Sequence, residues 1–172
     1  MTFAPGKKHH GMTGHWDRDL DTDLARLRVE FKSDLLVSLL EEHEFKALKI
    51  HDLRERVTTH GIEMLWYPIP DGSVPTSIEK LVEVVDRIVK ALGKGQTVVI
   101  HCMGGLGRTG LVAAACLLAT TDLTPREVIE IVRRARPGAV NEDGQEKYVE
   151  TFRRFLGSCH VLRFGKRRLS ID

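Results

Sequence analysis

The pattern of apolar and polar positions divides the chain into two kinds of segment. Three short runs are almost wholly apolar, at residues 34–40, 62–67 and 96–100, as is typical of buried parallel strands. The alternation of these runs with helical segments predicts an α/β fold, with a central, mostly parallel β-sheet flanked by helices. The helices are predicted where apolar residues recur every three or four positions, at residues 19–30, 41–48, 51–60, 76–92, 109–119, 123–134 and 148–155.

Two of these helices carry start signals. Thr76 and Glu79 have the spacing of a capping box, in which each side chain accepts a hydrogen bond from the other residue's backbone N–H. Thr124 and Glu127 repeat that spacing, and Pro125 stands at the first helical position. We therefore expect helices to begin at these two places.

Composition and charge indicate one globular domain. The 172 residues are 42% hydrophobic and 29% charged, with a formal net charge of +2, which gives no support for nucleic-acid or membrane binding. No apolar run approaches the ~18 residues of a membrane span, and the first residues lack a signal-peptide pattern. Three cysteines without framework spacing favour a reducing cytoplasm. We expect a single domain over residues 1–172, monomeric and cytoplasmic, with an irregular arm at 1–16 and a basic, flexible tail at 160–172.

Histidines in the N-terminal arm raise the question of a metal site. His9, His10, His15 and Asp17 carry suitable ligand groups, but they lack the spacing of a helical histidine pair. A solvated segment is the simpler interpretation. We predict no metal and no organic cofactor.

The stretch from residue 98 to residue 110 carries the most specific chemistry. An apolar run ends at His101 and Cys102, and a glycine-rich turn leads to Arg108 at the start of a helix. Backbone N–H groups of such a turn and of the helix N-terminus form a cradle for an anion. Arg108 can hold two phosphate oxygens, and the same field favours the thiolate of Cys102. The pattern predicts a nucleophile beneath a phosphate-binding loop of Met103, Gly104, Gly105, Leu106, Gly107 and Arg108.

Two other interpretations of this stretch stay open. Residues 105–110 also fit the dinucleotide fingerprint G-x-G-x-x-G, but that site needs a second strand after the helix, where the pattern predicts another helix. Alternatively, Cys102 is a structural cysteine in an ordinary strand-to-helix turn.

The stretch resembles the signature His-Cys-(five residues)-Arg-Ser/Thr of the cysteine-based protein phosphatases, carried here by His101, Cys102, Arg108 and Thr109. The run 104–108 is most similar to the dual-specificity subgroup, in particular to the cyclin-dependent-kinase-associated phosphatases. The resemblance implies a domain that hydrolyses phosphomonoesters of proteins through a cysteinyl-phosphate intermediate. It also implies that His101 orders the loop and helps to hold the thiolate.

Thr109 has two candidate roles at the start of this helix. Its hydroxyl can hydrogen-bond the sulfur of Cys102 and ease departure of the thiolate when the intermediate is hydrolysed. It can also cap the helix N-terminus, and the two roles are compatible.

A second informative stretch lies at residues 68–75, where prolines and a glycine exclude both helix and central strand. Asp71 precedes Cys102 by 31 positions (102 − 71), so its loop can fold over the mouth of the cradle. Breaking the P–O bond requires a proton donor at the leaving oxygen. The run Pro-Ile-x-Asp-Gly is similar to the general-acid loop of the associated phosphatases, which implies that Asp71 is the general acid. The alternative is a plain turn aspartate.

The run 136–140 is similar to a loop that several dual-specificity phosphatases place beside the active site. In such enzymes a glutamine a few residues later helps to position the hydrolytic water. Gln145 is our candidate for that role, with Asn141 as the second choice. Simple turn or capping chemistry is the alternative for both.

These motifs together predict a protein phosphatase whose partner is a phosphorylated protein, with a kinase among the candidates. Relatives that act on inositol lipids often place lysines in the signature loop, whereas residues 103–107 are uncharged. We therefore favour one phosphate on a protein over a phosphoinositide, nucleotide or sugar phosphate. A non-catalytic module that binds phosphoproteins or kinases is the other alternative. Residues 167–170 resemble both a kinase site and a cyclin-docking motif.

Overall fold

Five strands and seven helices make up the parts of the chain that the computed structural model describes, residues 1–11, 14–141 and 144–158. The strands are β1 (Lys8–Gly11), β2 (Gly14–Asp17), β3 (Ser33–Ser38), β4 (Glu63–Trp66) and β5 (Thr97–His101). The helices are α1 (Leu20–Val29), α2 (Glu42–Ala47), α3 (Leu53–Thr59), α4 (Ile78–Gly93), α5 (Gly107–Thr120), α6 (Pro125–Ala135) and α7 (Gln145–Ser158). The predicted tail at 160–172 lies outside these residues.

A parallel three-stranded sheet with β3 at its centre confirms the predicted fold class. Successive side chains of a strand point to opposite faces, and both faces of β3 are covered. Leu35 and Val37 pack in the core formed with α4 to α7, whereas Leu36 and Leu40 pack in a second core with α1 to α3. Burial on both faces explains why the strands are continuous apolar runs. The carboxyl ends of β3, β4 and β5 meet at one edge, where the loops with the predicted chemistry begin.

The sequence predicted an irregular N-terminal arm, but the structure shows that this arm forms strands. β1 and β2 form an antiparallel hairpin, and the residues before the hairpin pair with β5 and with the loop after it. The N–H of Thr2 donates to the carbonyl of Ile100 (3.0 Å), and that of Ala4 donates to the carbonyl of Met103 (3.3 Å). Backbone hydrogen bonds leave no periodic apolar pattern, so this packing could not be predicted from the sequence.

Three predicted helix boundaries need correction, and one is confirmed. Ser77, not Thr76, caps α4, because its hydroxyl accepts the N–H of Lys80. Gln145 is the first residue of α7 and not part of a loop. Thr109 lies inside the first turn of α5, whose cap position is Leu106. The capping box at the start of α6 forms as predicted.

Candidate active site

The signature loop joins β5 to α5 and folds around the sulfur of Cys102. Cys102 is buried, and its Sγ accepts the N–H of Gly105 at 3.2 Å. Gly105 has a φ of +71°, and a Cβ there would lie 2.3 Å from the backbone of Thr2. A side chain is therefore excluded at this position by both conformation and space. The turn directs a backbone N–H at the sulfur, in agreement with the predicted anion cradle.

A cavity of about 670 Å³ opens above the sulfur and collects most of the predicted site residues. Three separate parts of the chain contribute besides the signature loop: the acid loop, the segment before α7, and the N-terminal arm, which the sequence had not indicated. The residues that line the cavity are Lys7, His9, Trp16, Asp71, Gly72, Cys102, Met103, Gly104, Leu106, Gly107, Arg108, Asn141 and Gln145.

Arg108 is almost wholly buried and is held by an acidic residue that sequence reasoning missed. Its Nη1 and Nη2 donate to the two carboxylate oxygens of Glu44 at 2.6 and 2.8 Å. Nη1 also donates to the carbonyl of Ile69 at 3.0 Å. Burial opposes the charge on Arg108, but the hydrogen bonds of Glu44, together with the charges of Cys102, Glu44 and Asp71, outweigh burial and raise the pKa of the guanidinium. The arginine is thus fixed in orientation before any substrate binds.

Glu44 lies in α2, and its own position is set locally. One carboxylate oxygen accepts the N–H of Glu41 at 2.7 Å, as part of a capping box. Burial acts to raise the pKa of Glu44, but Arg108 and the Glu41 N–H together lower it below its ordinary value. The capping spacing of Glu41 and Glu44 was visible in the sequence, but nothing in it pointed to Arg108.

Asp71 lies at the mouth of the cavity, on the loop predicted to carry it. Its side chain is 64% exposed, and its Oδ1 lies 2.8 Å from Nη2 of Arg108. The loop is guided there by backbone pairing beyond β4, since the N–H of Ile69 donates to the carbonyl of Leu39. Arg108 is therefore shared between a buried carboxylate and an exposed one.

His101 and Thr109 are both buried, and the Thr109 hydroxyl makes no hydrogen bond within the described residues. Burial lowers the pKa of His101 to about 4, so the ring is neutral at pH 7. The hydrogen bond predicted from the Thr109 hydroxyl to the sulfur is not formed in this structure, where the sulfur accepts the N–H of Gly105. The ring of His101 contacts the backbone of Cys102, and this is the contact through which it can order the loop.

Gln145 connects two loops at the side of the cavity. Its Nε2 donates to the carbonyl of Ser73 at 3.0 Å, and its Oε1 accepts the N–H of Asn141 at 2.9 Å. A Cβ at Gly107 would lie 3.0 to 3.1 Å from the amide groups of Asn141 and Gln145. Both amides thus press against the signature loop, and Gln145 braces the loop that carries Asp71.

Two other features of the sequence take no part in this cavity. Cys116 lies in α5 and packs against the hydrophobic core, where burial raises the pKa of its thiol to about 12. The described residues contain no group of three or more His, Cys, Asp or Glu side chains that would hold a metal ion. None of the helices in the described ranges is long and apolar enough to cross a bilayer.

Comparison with known proteins places this geometry in a family. Residues 29–154 match the family model described as the dual specificity phosphatase catalytic domain. Cyclin-dependent kinase inhibitor 3 of Rattus norvegicus is 31% identical over 138 residues, which cover 79% of this chain and 64% of the rat protein. The protein of the same name from Sus scrofa is 34% identical over the same shares. The chain therefore matches slightly less than two thirds of the length of these relatives.

Solved structures give the same result. A kinase associated phosphatase in which serine replaces the catalytic cysteine superposes with a TM-score of 0.83 at 27% identity, covering 91% of this chain and 86% of that one. The active form of Tk-PTP superposes with a TM-score of 0.68 at 35% identity, covering 78% and 86%. With its α/β sheet, signature loop and matched family model, the chain belongs to the dual-specificity phosphatase family.

Proposed function

We propose that this protein hydrolyses phosphomonoesters of proteins, with Cys102 as nucleophile and Asp71 as general acid. One observation carries the proposal: Cys102, Arg108 and Asp71 line the same cavity, and Asp71 forms an ion pair with the guanidinium of Arg108 at 2.8 Å. Membership of the dual-specificity phosphatase family supports the reaction class.

In the first step the thiolate of Cys102 attacks phosphorus and the P–O bond of the ester breaks. Arg108 and the N–H groups of the signature loop hold the non-bridging oxygens, whose charge spreads in the transition state. A bound phosphate competes with Asp71 for Nη2 of Arg108, which releases the carboxyl group. The released carboxylate of Asp71 takes up a proton from solvent and then passes it to the leaving oxygen, so that a neutral alcohol or phenol departs.

In the second step water hydrolyses the cysteinyl phosphate. Asp71 accepts a proton from the water, the S–P bond breaks, and inorganic phosphate and the thiolate are released. We assign the orientation of this water to Gln145, with Asn141 beside it; the position of both residues in the lining of the cavity supports this role. His101 and Thr109 support the loop around the sulfur. This sequence of steps uses no metal and no organic cofactor.

A phosphorylated protein is the proposed substrate, and a kinase is a candidate. The relatives named after a cyclin-dependent kinase support this choice, as does the uncharged interior of the signature loop. We further propose a single-domain monomer in the reducing cytoplasm, where Cys102 stays reduced.

Turnover of an aryl phosphate, measured after full reduction and with a chelator present, tests the mechanism. The wild type and the matched control Cys116→Ser turn over, Cys102→Ser is inactive, and Asp71→Ala is strongly slowed. An inert wild type, or a Cys102→Ser variant that keeps its rate, would instead support a non-catalytic binding module. Faster cleavage of phosphoinositides than of phosphopeptides would refute the proposed substrate class.

A further inference from the structure

Lys7 lines the active-site cavity and belongs to a segment outside the match to the family model, which begins at residue 29 of this chain. The residue is only 5% exposed. Its Nζ lies 3.4 Å from the carbonyl oxygen of Met103 and 3.9 Å from the ring centroid of Trp16. The arm therefore holds an ammonium group in a fixed place beside the signature loop.

The charge on Lys7 has no acidic partner among the described residues, which is unusual for a cation so deeply buried. Arg108, the other cation that lines the cavity, is neutralised by Glu44 and Asp71. Arg18, near Lys7, is paired with Asp23. Burial lowers the pKa of Lys7, Cys102 acts in the opposite direction, and the charges of Arg18 and Arg136 add to the lowering. Because no carboxylate pairs with Lys7 in the described residues, we expect an anion that enters the cavity to bind it.

Lys7 lies on the outer side of the signature loop, not inside the cradle. The N–H of Gly105 points at the sulfur, whereas the carbonyl of Met103 points at the arm and accepts from it. On the same side, Nη2 of Arg136 lies 3.4 Å from the carbonyl of Gly104, again without a carboxylate partner in the described ranges. A second negative charge of the substrate would thus bind beside its phosphate rather than within the same cradle.

We propose that Lys7 forms a second anion subsite, which binds a carboxylate or phosphate two positions from the phosphoresidue. In an extended peptide, residues two positions apart lie on the same face, roughly 6.6 Å apart along the chain, so they can present two charges side by side. The uncharged signature loop and the lateral position of Lys7 favour such an acidic phosphopeptide over a compact, multiply phosphorylated small molecule. The inference rests on the proposed phosphatase function and names the substrate class of that site.

Two phosphopeptides that differ only in Glu or Gln two positions from the phosphoresidue test the subsite. We expect the wild type to favour the Glu peptide by about tenfold in kcat/KM, and high salt to reduce this ratio. In Lys7→Met, which keeps an apolar stem over Trp16, the ratio falls to about one. Lys7→Arg retains the preference. Lys8→Met is the matched control, because Lys8 is exposed, lies next in the chain and pairs with Asp17.

Binding of the same peptides to Cys102→Ser, by calorimetry, separates the subsite from turnover. If the wild type does not hydrolyse aryl phosphate, the phosphatase function is refuted. The Lys7-dependent difference in Kd between the two peptides tests the subsite alone. Equal binding of both peptides by the Cys102→Ser protein that retains Lys7 would overturn the proposal. An equal loss of affinity for both peptides in Lys7→Met, together with a lower Tm, would also overturn it. The proposal would also be overturned if a soluble inositol bisphosphate displaced the acidic peptide and its binding depended on Lys7.

Discussion

Two carboxylates contact the guanidinium of Arg108, and their surroundings differ sharply. Glu44 is 2% exposed and binds through both oxygens, whereas Asp71 is 64% exposed and binds through one. A buried ion pair cannot be separated without leaving an uncompensated charge. An exposed pair is worth about 0 to 1 kcal/mol and is easily displaced. The same pairing of charges can therefore hold one side chain in place and leave the other free to react.

Arg108→Lys removes the partner of both carboxylates and is expected to have the largest effect. Lysine cannot make the planar two-pronged contact with Glu44 or with phosphate. We expect kcat/KM to fall by about 10³-fold, roughly 4 kcal/mol of transition-state stabilisation. Steady-state kinetics on an aryl phosphate measures the loss. Arg126→Lys, at an exposed pair with Glu130, is the control and should match the wild type.

Asp71→Asn removes the proton donor while keeping the shape of the exposed side chain. We expect kcat to fall by about 10²- to 10³-fold. The Tm should stay within about 1 °C of the wild type, because Asp71 itself is exposed and Arg108 keeps Glu44 as its counter-ion. The loss should be greater for an alkyl phosphate than for a nitrophenyl phosphate, whose leaving group needs less protonation. An equal loss on both substrates would show that Asp71 does not act as the acid.

Glu44→Gln should show the reverse pattern, with a large loss of stability and a smaller loss of rate. Arg108 would then be buried without its counter-ion, and we expect the free energy of unfolding to fall by about 3 kcal/mol. Misorientation of the guanidinium should lower kcat by about tenfold. Urea denaturation and kinetics measure the two effects. Glu42→Gln, an exposed change in the same helix, should alter neither; a stable Glu44→Gln protein would refute the role assigned to the buried pair.

The pH dependence of stability separates Glu44 from its buried neighbour His101. The pKa of His101 is about 4 in the folded protein, below its ordinary 6.5, so the unfolded chain binds the proton more readily. Stability therefore falls as the pH drops from 6.5 towards 4, by about 2 kcal/mol between pH 7.5 and pH 5. Glu44, whose pKa is lowered, contributes stability above pH 4.5 that is lost only as the pH falls below that value.

Urea midpoints at a series of pH values test this separation. His101→Asn should flatten the slope between pH 6.5 and 4 and leave the loss below pH 4.5 in place. Glu44→Gln should do the opposite. If His101→Asn keeps the wild-type slope, another group is responsible for the acid sensitivity in that range.

The sheet, the order of the helices and the chemical residues of the loops were predictable because each rests on local sequence. A strand buried on both faces must be apolar along its length, and a phosphate cradle must place Cys102 and Arg108 at fixed spacing between strand and helix. Asp71 was found through a resemblance and through the turn residues around it. Its loop position is confirmed, and its role as the acid stays a prediction.

The features that were missed depend on contacts between distant parts of the chain. Glu44 looks like an ordinary polar residue of an amphipathic helix, and only the fold brings it to Arg108, 64 positions away. The N-terminal arm is attached by backbone hydrogen bonds and by a lysine against an aromatic ring, neither of which has a period in sequence. The choice between Thr76 and Ser77 as helix cap was a shift of one residue between similar side chains.

The attachment of the arm also bears on the order in which the pocket is built. Lys7 and Met103 are separated by 96 positions, and closing so long a loop is disfavoured by chain entropy until nearby structure has formed. During synthesis the arm leaves the ribosome long before β5 and the signature loop exist. Its contacts with them are therefore among the last to form, and the wall of the cavity that contains Lys7 is completed only after the reactive cysteine is already in place.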